Sequence, residues 1–143
     1  LDLALTSFAE TEKGRTIIRR EPLVWVGAAG SNAAHLKPLR LALTDPDTLD
    51  HRAARRSLDV AGRAYRVAYA SASLAGLTAV VRSGQAIAVL TRTAVPDDLR
   101  VLSAESGLPP LPSVGIGVMV DSKQPSAVVS AFAQHVRQVL PTL

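Results

Sequence analysis

The chain has 143 residues and no cysteine, which excludes disulfides, thiolate nucleophiles and cysteine-bound metal ions together. Hydrophobic residues make up 48% of the chain and charged residues 20%, a globular composition in which no apolar run reaches the roughly 18 residues of a membrane span. The net charge is +4, but the arginines are spread along the sequence without clustered aromatic residues, a pattern typical of a solvated surface.

The N-terminal part of the chain predicts two strands joined by a loop. The stretch LDLAL (residues 1–5) has the pattern of a strand, which we expect to stop at the polar pair Thr6-Ser7. EPLVWVGAA (21–29) predicts a second strand, and residues 9–16 predict the loop between the two. Because the first residues already lie inside a strand pattern without an N-terminal cap, the chain looks like a fragment of a longer domain.

The middle of the chain alternates strands with helices. Strands and helices are predicted in the order strand 39–44, helix 48–61, strand 65–70, helix 73–83 and strand 85–90. In the first helix, Arg52, Arg55 and Arg56 occupy the face left by the apolar residues, which indicates a solvent side. Nearly every residue of the second helix is small or apolar, so we expect that helix to be buried on more than one side.

The C-terminal part predicts a short strand, a proline-rich connection, another strand and an amphipathic helix. These segments are 99–102, 107–113, 114–120 and a helix that Ser126 caps, with Val128, Val129, Phe132, Val136 and Leu140 on its apolar side. The strands are short, nearly continuous apolar runs, as in parallel sheets covered by helices. The spacing therefore predicts the α/β class.

Hydroxyl or turn residues follow four of the predicted strands. Ligands of parallel α/β sheets gather outside the carboxyl ends of the strands, where hydroxyls and free backbone N–H groups hold a small carboxylate or polar ligand without a catalytic base. For Ser71 or Ser73 taken alone, helix capping is the simpler explanation, but the repetition favours a binding site. The candidate ligand-binding residues are Thr6, Ser7, Thr44, Asp45, Ser71, Ala72, Ser73 and Thr91.

The sequence carries no motif of an α/β enzyme. The nucleophile elbow G-x-S-x-G is absent, GAAGSN (27–32) lacks the Gly-Lys-Ser/Thr of a phosphate loop, and GIG (115–117) lies inside a predicted strand. Asp45 and Asp47 flank a proline, which indicates a turn and not an acid–base pair. We therefore predict no catalytic residue, no metal and no cofactor. The histidines His35, His51 and His135 are too far apart for a zinc site and are expected at the surface.

Four segments resemble the effector-binding domain of LysR-type transcriptional regulators. They are LDLAL, REPLVWV (20–26), SLAGLTAVVRSG (73–84) and the return through VGIGVMV to the last helix, so the resemblance covers essentially the whole chain. Departures are local: Gln85-Ala86 follows Gly84 where the family has a glycine pair, and Thr91 stands near a usual proline.

The resemblance implies a two-lobe domain of the type 2 periplasmic-binding-protein fold, with three-layer lobes and an incomplete first lobe. Residues 1–37 and 113–143 would form lobe I, and residues 38–112 lobe II. Thr6 and Ser7 would face the cleft from lobe I. Ser71, Ala72 and Ser73 would face it from lobe II, near Thr44, Asp45 and Thr91.

The same resemblance implies a function in transcription. The domain would bind a small inducer, a carboxylate or another polar molecule, between its lobes and would form a homodimer or homotetramer in the cytoplasm. DNA would be bound by an N-terminal helix-turn-helix domain missing from this chain, and not by the chain itself. A solute-binding protein of the same fold is the alternative; a signal peptide upstream would favour it, and a helix-turn-helix upstream would favour the regulator.

Overall fold

Most of the predicted strands and helices form where the sequence pattern placed them. The computed structural model describes residues 3–9, 18–120 and 127–142, and side chains within 5–9, 18–117 and 130–142. In these ranges the strands are β1 Leu3–Ala9, β2 Arg19–Ala28, β3 Leu39–Leu43, β4 Tyr65–Ala70, β5 Ile87–Thr91, β6 Leu99–Val101 and β7 Ser113–Val120. The α-helices are α1 Leu49–Val60, α2 Leu74–Arg82 and α3 Ala127–Val139, and none of them has the length and hydropathy to cross a bilayer.

The chain divides into two compact units. Unit 1 is Leu1–Glu21 with Ser113–Leu143, and unit 2 is Pro22–Pro112. Residues 22–37, which the resemblance assigns to lobe I, therefore pack within unit 2. The reason is strand pairing, since β2 from Leu23 to Val26 runs antiparallel to β5.

In unit 1, β1 pairs antiparallel with β7 along its whole length, from Leu3 opposite Val120 to Ala9 opposite Val114. The prediction that the first strand stops at Thr6-Ser7 is wrong, because both residues lie in the middle of β1. An antiparallel ladder joins backbone groups and allows one face to be polar, so hydroxyl side chains do not end it. The predicted loop 9–16 lies outside the described residues except for Ala9, which belongs to β1.

Unit 2 contains a mixed five-stranded sheet. β3 runs parallel to both β4 and β5, whereas β2 runs antiparallel to β5 and to β6. Val26 pairs with Ala88 of β5 and with Val101 of β6, so these strands lie on opposite sides of β2 and the order is β6-β2-β5-β3-β4. The expected parallel arrangement holds for β4, β3 and β5 only.

Helices α1 and α2 cover opposite faces of this sheet. Leu77 and Val81 of α2 pack on the face that carries Val26 and Ala88. Alternate strand residues point to the other face, where α1 contributes its buried residues to the core. On this face the buried residues include Trp25, Leu41, Leu43, Ile87 and Val89 of the sheet and Ala54 and Leu58 of α1.

Two helix predictions need correction. Helix α2 is buried on one face and not on several, because Leu74 is 48% exposed and the buried residues Leu77, Thr78 and Val81 follow a single helical stripe. In α3, Phe132 is 55% exposed while its neighbour Ala133 is buried, so Phe132 does not lie on the buried side of the helix as predicted. Ser126 and the side chains of Val128 and Val129 lie outside the described residues.

Candidate functional site

The three parallel strands of unit 2 end on one edge, and hydroxyl residues follow or end each of them. Leu43 of β3 is opposite Ala70 of β4, and the Ser71 N–H donates to the Leu43 carbonyl over 3.1 Å. Ala42 is opposite Ala88, so Thr91 at the end of β5 lies on the same edge as Thr44. We call this the carboxyl edge of unit 2: Thr44, Ser71, Ser73 and Thr91.

Ser71 and Ser73 arrange the backbone between β4 and α2. The Ser71 Oγ accepts from the Ser73 N–H over 3.0 Å, and the Ser73 Oγ caps α2 by accepting from the Gly76 N–H over 3.1 Å. The predicted capping function of Ser73 is confirmed. Within the described part of the chain, neither serine hydroxyl has an acceptor for its own hydrogen, so both remain free to donate to a ligand.

The first turn of α2 adds backbone donors beside these hydroxyls. The N–H groups of Leu74 and Ala75 lie at the first two helical positions, where no carbonyl one turn earlier is available. Aligned peptide dipoles give this helix end a partial positive charge. The segment from Ser71 to Ala75 therefore presents hydroxyl and amide donors of the kind that bind carboxylates and other oxyanions.

Thr44 belongs to a hydrogen-bond chain that fixes the turn after β3. The Thr48 hydroxyl donates to the Asp45 carbonyl over 2.7 Å, and its oxygen lies 2.6 Å from the Thr44 Oγ1. Because Thr48 has a single hydroxyl hydrogen, Thr44 must be the donor in the second bond. The Thr44 oxygen then offers acceptor lone pairs to a ligand, in contrast to the donors of Ser71 and Ser73.

The buried side chain of His51 holds this turn from the interior of unit 2. Its side chain is 2% exposed, whereas a surface position was expected, and its Nδ1 lies 2.7 Å from the Thr44 carbonyl oxygen. A carbonyl only accepts, so the Nδ1 carries the proton, and the buried Nε2 has no partner among the described atoms. The missed signal was the spacing of His51, Ala54 and Leu58, which places the histidine on the buried stripe of α1.

The family follows from comparison with known proteins. The model of the LysR substrate binding domain matches residues 1–141. The chain belongs to this family. It is 58% identical over 143 residues to the HTH-type transcriptional regulator DgdR of Burkholderia cepacia, in an alignment that covers 100% of this chain and 49% of DgdR. The chain thus spans about half the length of that relative.

Solved structures show the same fold as this LysR-type domain. The bromide ion-bound regulatory domain of HypT from Salmonella typhimurium superimposes with a TM-score of 0.75 at 18% identity, over 99% of this chain and 73% of that chain. The CcmR regulatory domain of Synechocystis PCC6803, in complex with 2-PG, gives a TM-score of 0.70 at 16% identity, over 96% of this chain and 73% of that chain. The fold is therefore the mixed α/β, type 2 periplasmic-binding-protein fold of LysR regulatory domains.

These comparisons confirm the resemblance to LysR-type effector domains, and the chain is a regulator's effector-binding domain and not an enzyme. Asp45 and Asp47 are both exposed in the turn before α1. Among the described residues, no cluster of His, Asp and Glu is placed to hold a metal ion. The relatives are transcriptional regulators, which favours the regulator over a solute-binding protein.

The predicted site residues of the LysR-type domain fall into two groups. Thr44, Ser71, Ser73 and Thr91 share the carboxyl edge of unit 2, with the exposed Asp45 and Ala72 in the adjoining turns. Thr6 and Ser7 belong to unit 1, where they pair with Gly117 and Ile116 inside the β1–β7 ladder.

Sequence reasoning also missed Tyr69, a half-buried residue of β4. A Cβ added at Gly76 would lie 2.5 Å from the Tyr69 hydroxyl oxygen and 3.5 Å from the Ser73 Oγ. The phenol therefore reaches the first turn of α2, and its hydroxyl has no hydrogen-bond partner among the described residues. Its position depends on the packing of α2 against β4, which no local sequence pattern reveals.

Proposed function

We propose that this LysR-type domain senses a small carboxylate or other polar effector at the carboxyl edge of unit 2. The observation that carries the proposal is the convergence of Thr44, Ser71 and Thr91 at the ends of three adjacent parallel strands. The free hydroxyl donors of Ser71 and Ser73 and the amides of Leu74 and Ala75 would bind the anionic group of the effector. The 2-PG complex of the CcmR regulatory domain supports a small ligand for this fold.

The family resemblance supplies the rest of this proposal. It adds Thr6 and Ser7 as effector contacts, and a two-lobe arrangement with residues 1–37 and 113–143 in lobe I and 38–112 in lobe II. An effector changes a regulator only through different affinities for two of its conformations. The effector's function would then be to favour one arrangement of the DNA-binding domains over another.

The partners of the full-length protein are part of the same proposal. DNA would be bound by a helix-turn-helix domain outside this chain, as the description of DgdR as an HTH-type regulator suggests, in a cytoplasmic protein. The effector domains would assemble as a homodimer or homotetramer. In support, β4 is hydrogen-bonded to a strand on one side only within the described sheet, and such an edge is available for pairing. Sedimentation of the purified protein measures the oligomeric state.

The effector proposal is tested by titrating the purified protein with a panel of small mono- and dicarboxylates while its melting temperature is followed. A true effector at 100 times its Kd stabilises the folded state by about 2.7 kcal/mol. Ser73→Asp is the sharpest variant, because aspartate still caps α2 but places a negative charge where the carboxylate would bind. We expect it to abolish the stabilisation by the effector while the unliganded protein keeps its melting temperature.

Ser83→Ala is the matched control, since Ser83 caps the other end of the same helix through its bond to the Val80 carbonyl. It should leave the response to the effector unchanged. Thr6→Val and Ser7→Ala test the unit 1 contacts in the same assay. If no carboxylate stabilises the wild type, or if Ser73→Asp responds like the wild type, the proposed site is wrong.

A further inference from the structure

Two arginines face each other across neighbouring strands at the start of the parallel sheet. Arg40 of β3 and Arg66 of β4 are opposite each other in the register, and both side chains are exposed. Like charges directly opposite each other destabilise a sheet. Arg40 is four residues before Thr44, about 13 Å along the strand, so this pair is remote from the carboxyl edge.

No group in the described part of the chain compensates this charge. Neither Arg40 nor Arg66 has a hydrogen bond or an ion pair there. Nor do the arginines cap the nearby end of α2, because its last carbonyls are already bonded. The Ala79 and Val81 carbonyls accept from the N–H groups of Ser83 and Gly84, and the Val80 carbonyl accepts from the Ser83 hydroxyl.

The arginine pair lies between two grooves. The larger, of about 560 Å³, lies between β4 and the end of α2, and Tyr69, Ala79, Val80 and Gln85 line it together with the pair. The smaller, of about 270 Å³, is lined by Leu36, Lys37 and Pro38 and again by both arginines. Neither lining contains an aspartate or a glutamate, and Lys37 adds a third positive charge.

We propose that Arg40 and Arg66 form a second binding site of this domain, for a small organic oxyanion. Two guanidinium groups side by side match the oxygens of one phosphate or carboxylate, since arginine binds such groups through paired N–H donors. The apolar wall of Tyr69, Ala79 and Val80 accommodates a short hydrocarbon or aromatic body attached to that group. A groove of about 560 Å³ has the size of a small-molecule site, whereas DNA is bound along a more extended basic surface.

The test measures binding to the purified protein by isothermal titration with phenyl phosphate, benzoate and inorganic phosphate. We expect phenyl phosphate or benzoate to bind more tightly than inorganic phosphate, because only these two reach the apolar wall. Arg40→Gln and Arg66→Gln should each weaken binding about tenfold, and Arg66→Lys should weaken it less because the charge remains. Arg52→Gln, on the exposed face of α1, should bind like the wild type.

Thermal unfolding of a double variant provides a second measurement that does not depend on a high affinity. The double variant Arg40→Gln/Arg66→Gln should melt at a higher temperature than the wild type without ligand, and should lose the stabilisation that the anion gives the wild type. Equal affinities of the wild type and both Gln variants overturn the proposal. Binding of short duplex DNA through these arginines, without binding of any of the three small anions, also overturns the proposal.

Discussion

The Nδ1 of His51 lies 2.7 Å from the carbonyl oxygen of Thr44, so a buried histidine of α1 holds the residue that follows β3. His51 and Thr44 are seven positions apart, on either side of the turn that begins α1. The position of Thr44 at the carboxyl edge of unit 2 is therefore held by a buried side chain. An effector bound at that edge would not have to contact His51.

Replacing His51 should destabilise the domain. His51→Ala removes the donor to the Thr44 carbonyl and leaves a cavity, and we expect the free energy of unfolding to fall by about 2–4 kcal/mol. His51→Asn should lower the free energy of unfolding by less, because the amide N–H of asparagine reaches the position of Nδ1. Urea unfolding measures both. His35→Ala, at an exposed histidine, is the control and should change stability by less than about 0.5 kcal/mol.

Tyr69 and Gly76 should be coupled. Alanine favours a helix over glycine by about 1 kcal/mol, but the new Cβ of Gly76→Ala would overlap the Tyr69 hydroxyl, so the wild-type background should show little of that gain. In a Tyr69→Phe background the oxygen is absent and Gly76→Ala should stabilise. A double-mutant cycle by thermal unfolding should give a coupling energy of about 1 kcal/mol; additive effects would contradict the contact between the Tyr69 hydroxyl and Gly76.

The ion pair between Arg82 and Asp98 should make stability depend on pH. Arg82 Nε lies 2.7 Å from Asp98 Oδ2, and this hydrogen bond lowers the pKa of Asp98 below its ordinary value. A carboxyl with a lowered pKa in the folded state stabilises it at neutral pH, and that contribution is lost as pH falls through the folded pKa. The stability difference between the wild type and Asp98→Asn should thus be largest at neutral pH and shrink below about pH 4.

Because both side chains of this pair are exposed, the effect should be small and should weaken in high salt. Urea unfolding at several pH values measures it, with Asp97→Asn as the neighbouring control. A stability difference that does not change with pH would show that the pair contributes nothing.

The two substitutions of Ser73 should separate capping from charge. Ser73→Ala removes the acceptor of the Gly76 N–H and should cost about 1 kcal/mol of stability, whereas Ser73→Asp should keep the cap. Thermal unfolding without ligand distinguishes them. Equal destabilisation by both variants would mean that the side-chain cap contributes nothing to α2.

Local features of the chain were predictable because their causes lie within a few residues. Helix capping was weighed for Ser73, and its Oγ accepts from the Gly76 N–H three residues on. Gly62 follows α1 at the position where glycine typically ends a helix, and it has the positive φ of +67° that glycine adopts without strain. The bounds of β3, β4 and β5 were predicted to within two residues, because apolar runs and the turns that follow them are also local features.

The incorrect predictions concern features that depend on contacts between residues far apart in the sequence. Thr6 and Ser7 were taken for the end of a strand because they are polar, but the pairing of β1 with β7, more than a hundred residues later, decides where β1 ends. Phe132 was placed on the buried stripe of α3, although the neighbouring Ala133 is the buried residue.

The sequence by itself determined the family, the order of strands and helices, and the hydroxyl residues at the carboxyl edge of unit 2, because motifs, caps and apolar periodicity are short-range properties. Only the tertiary structure decided that His51 supports Thr44, that Tyr69 reaches Gly76 and that Arg40 faces Arg66. Those relationships depend on strand register and on which helix face packs on the sheet. Both are set by the burial of the whole core and not by any neighbouring residue.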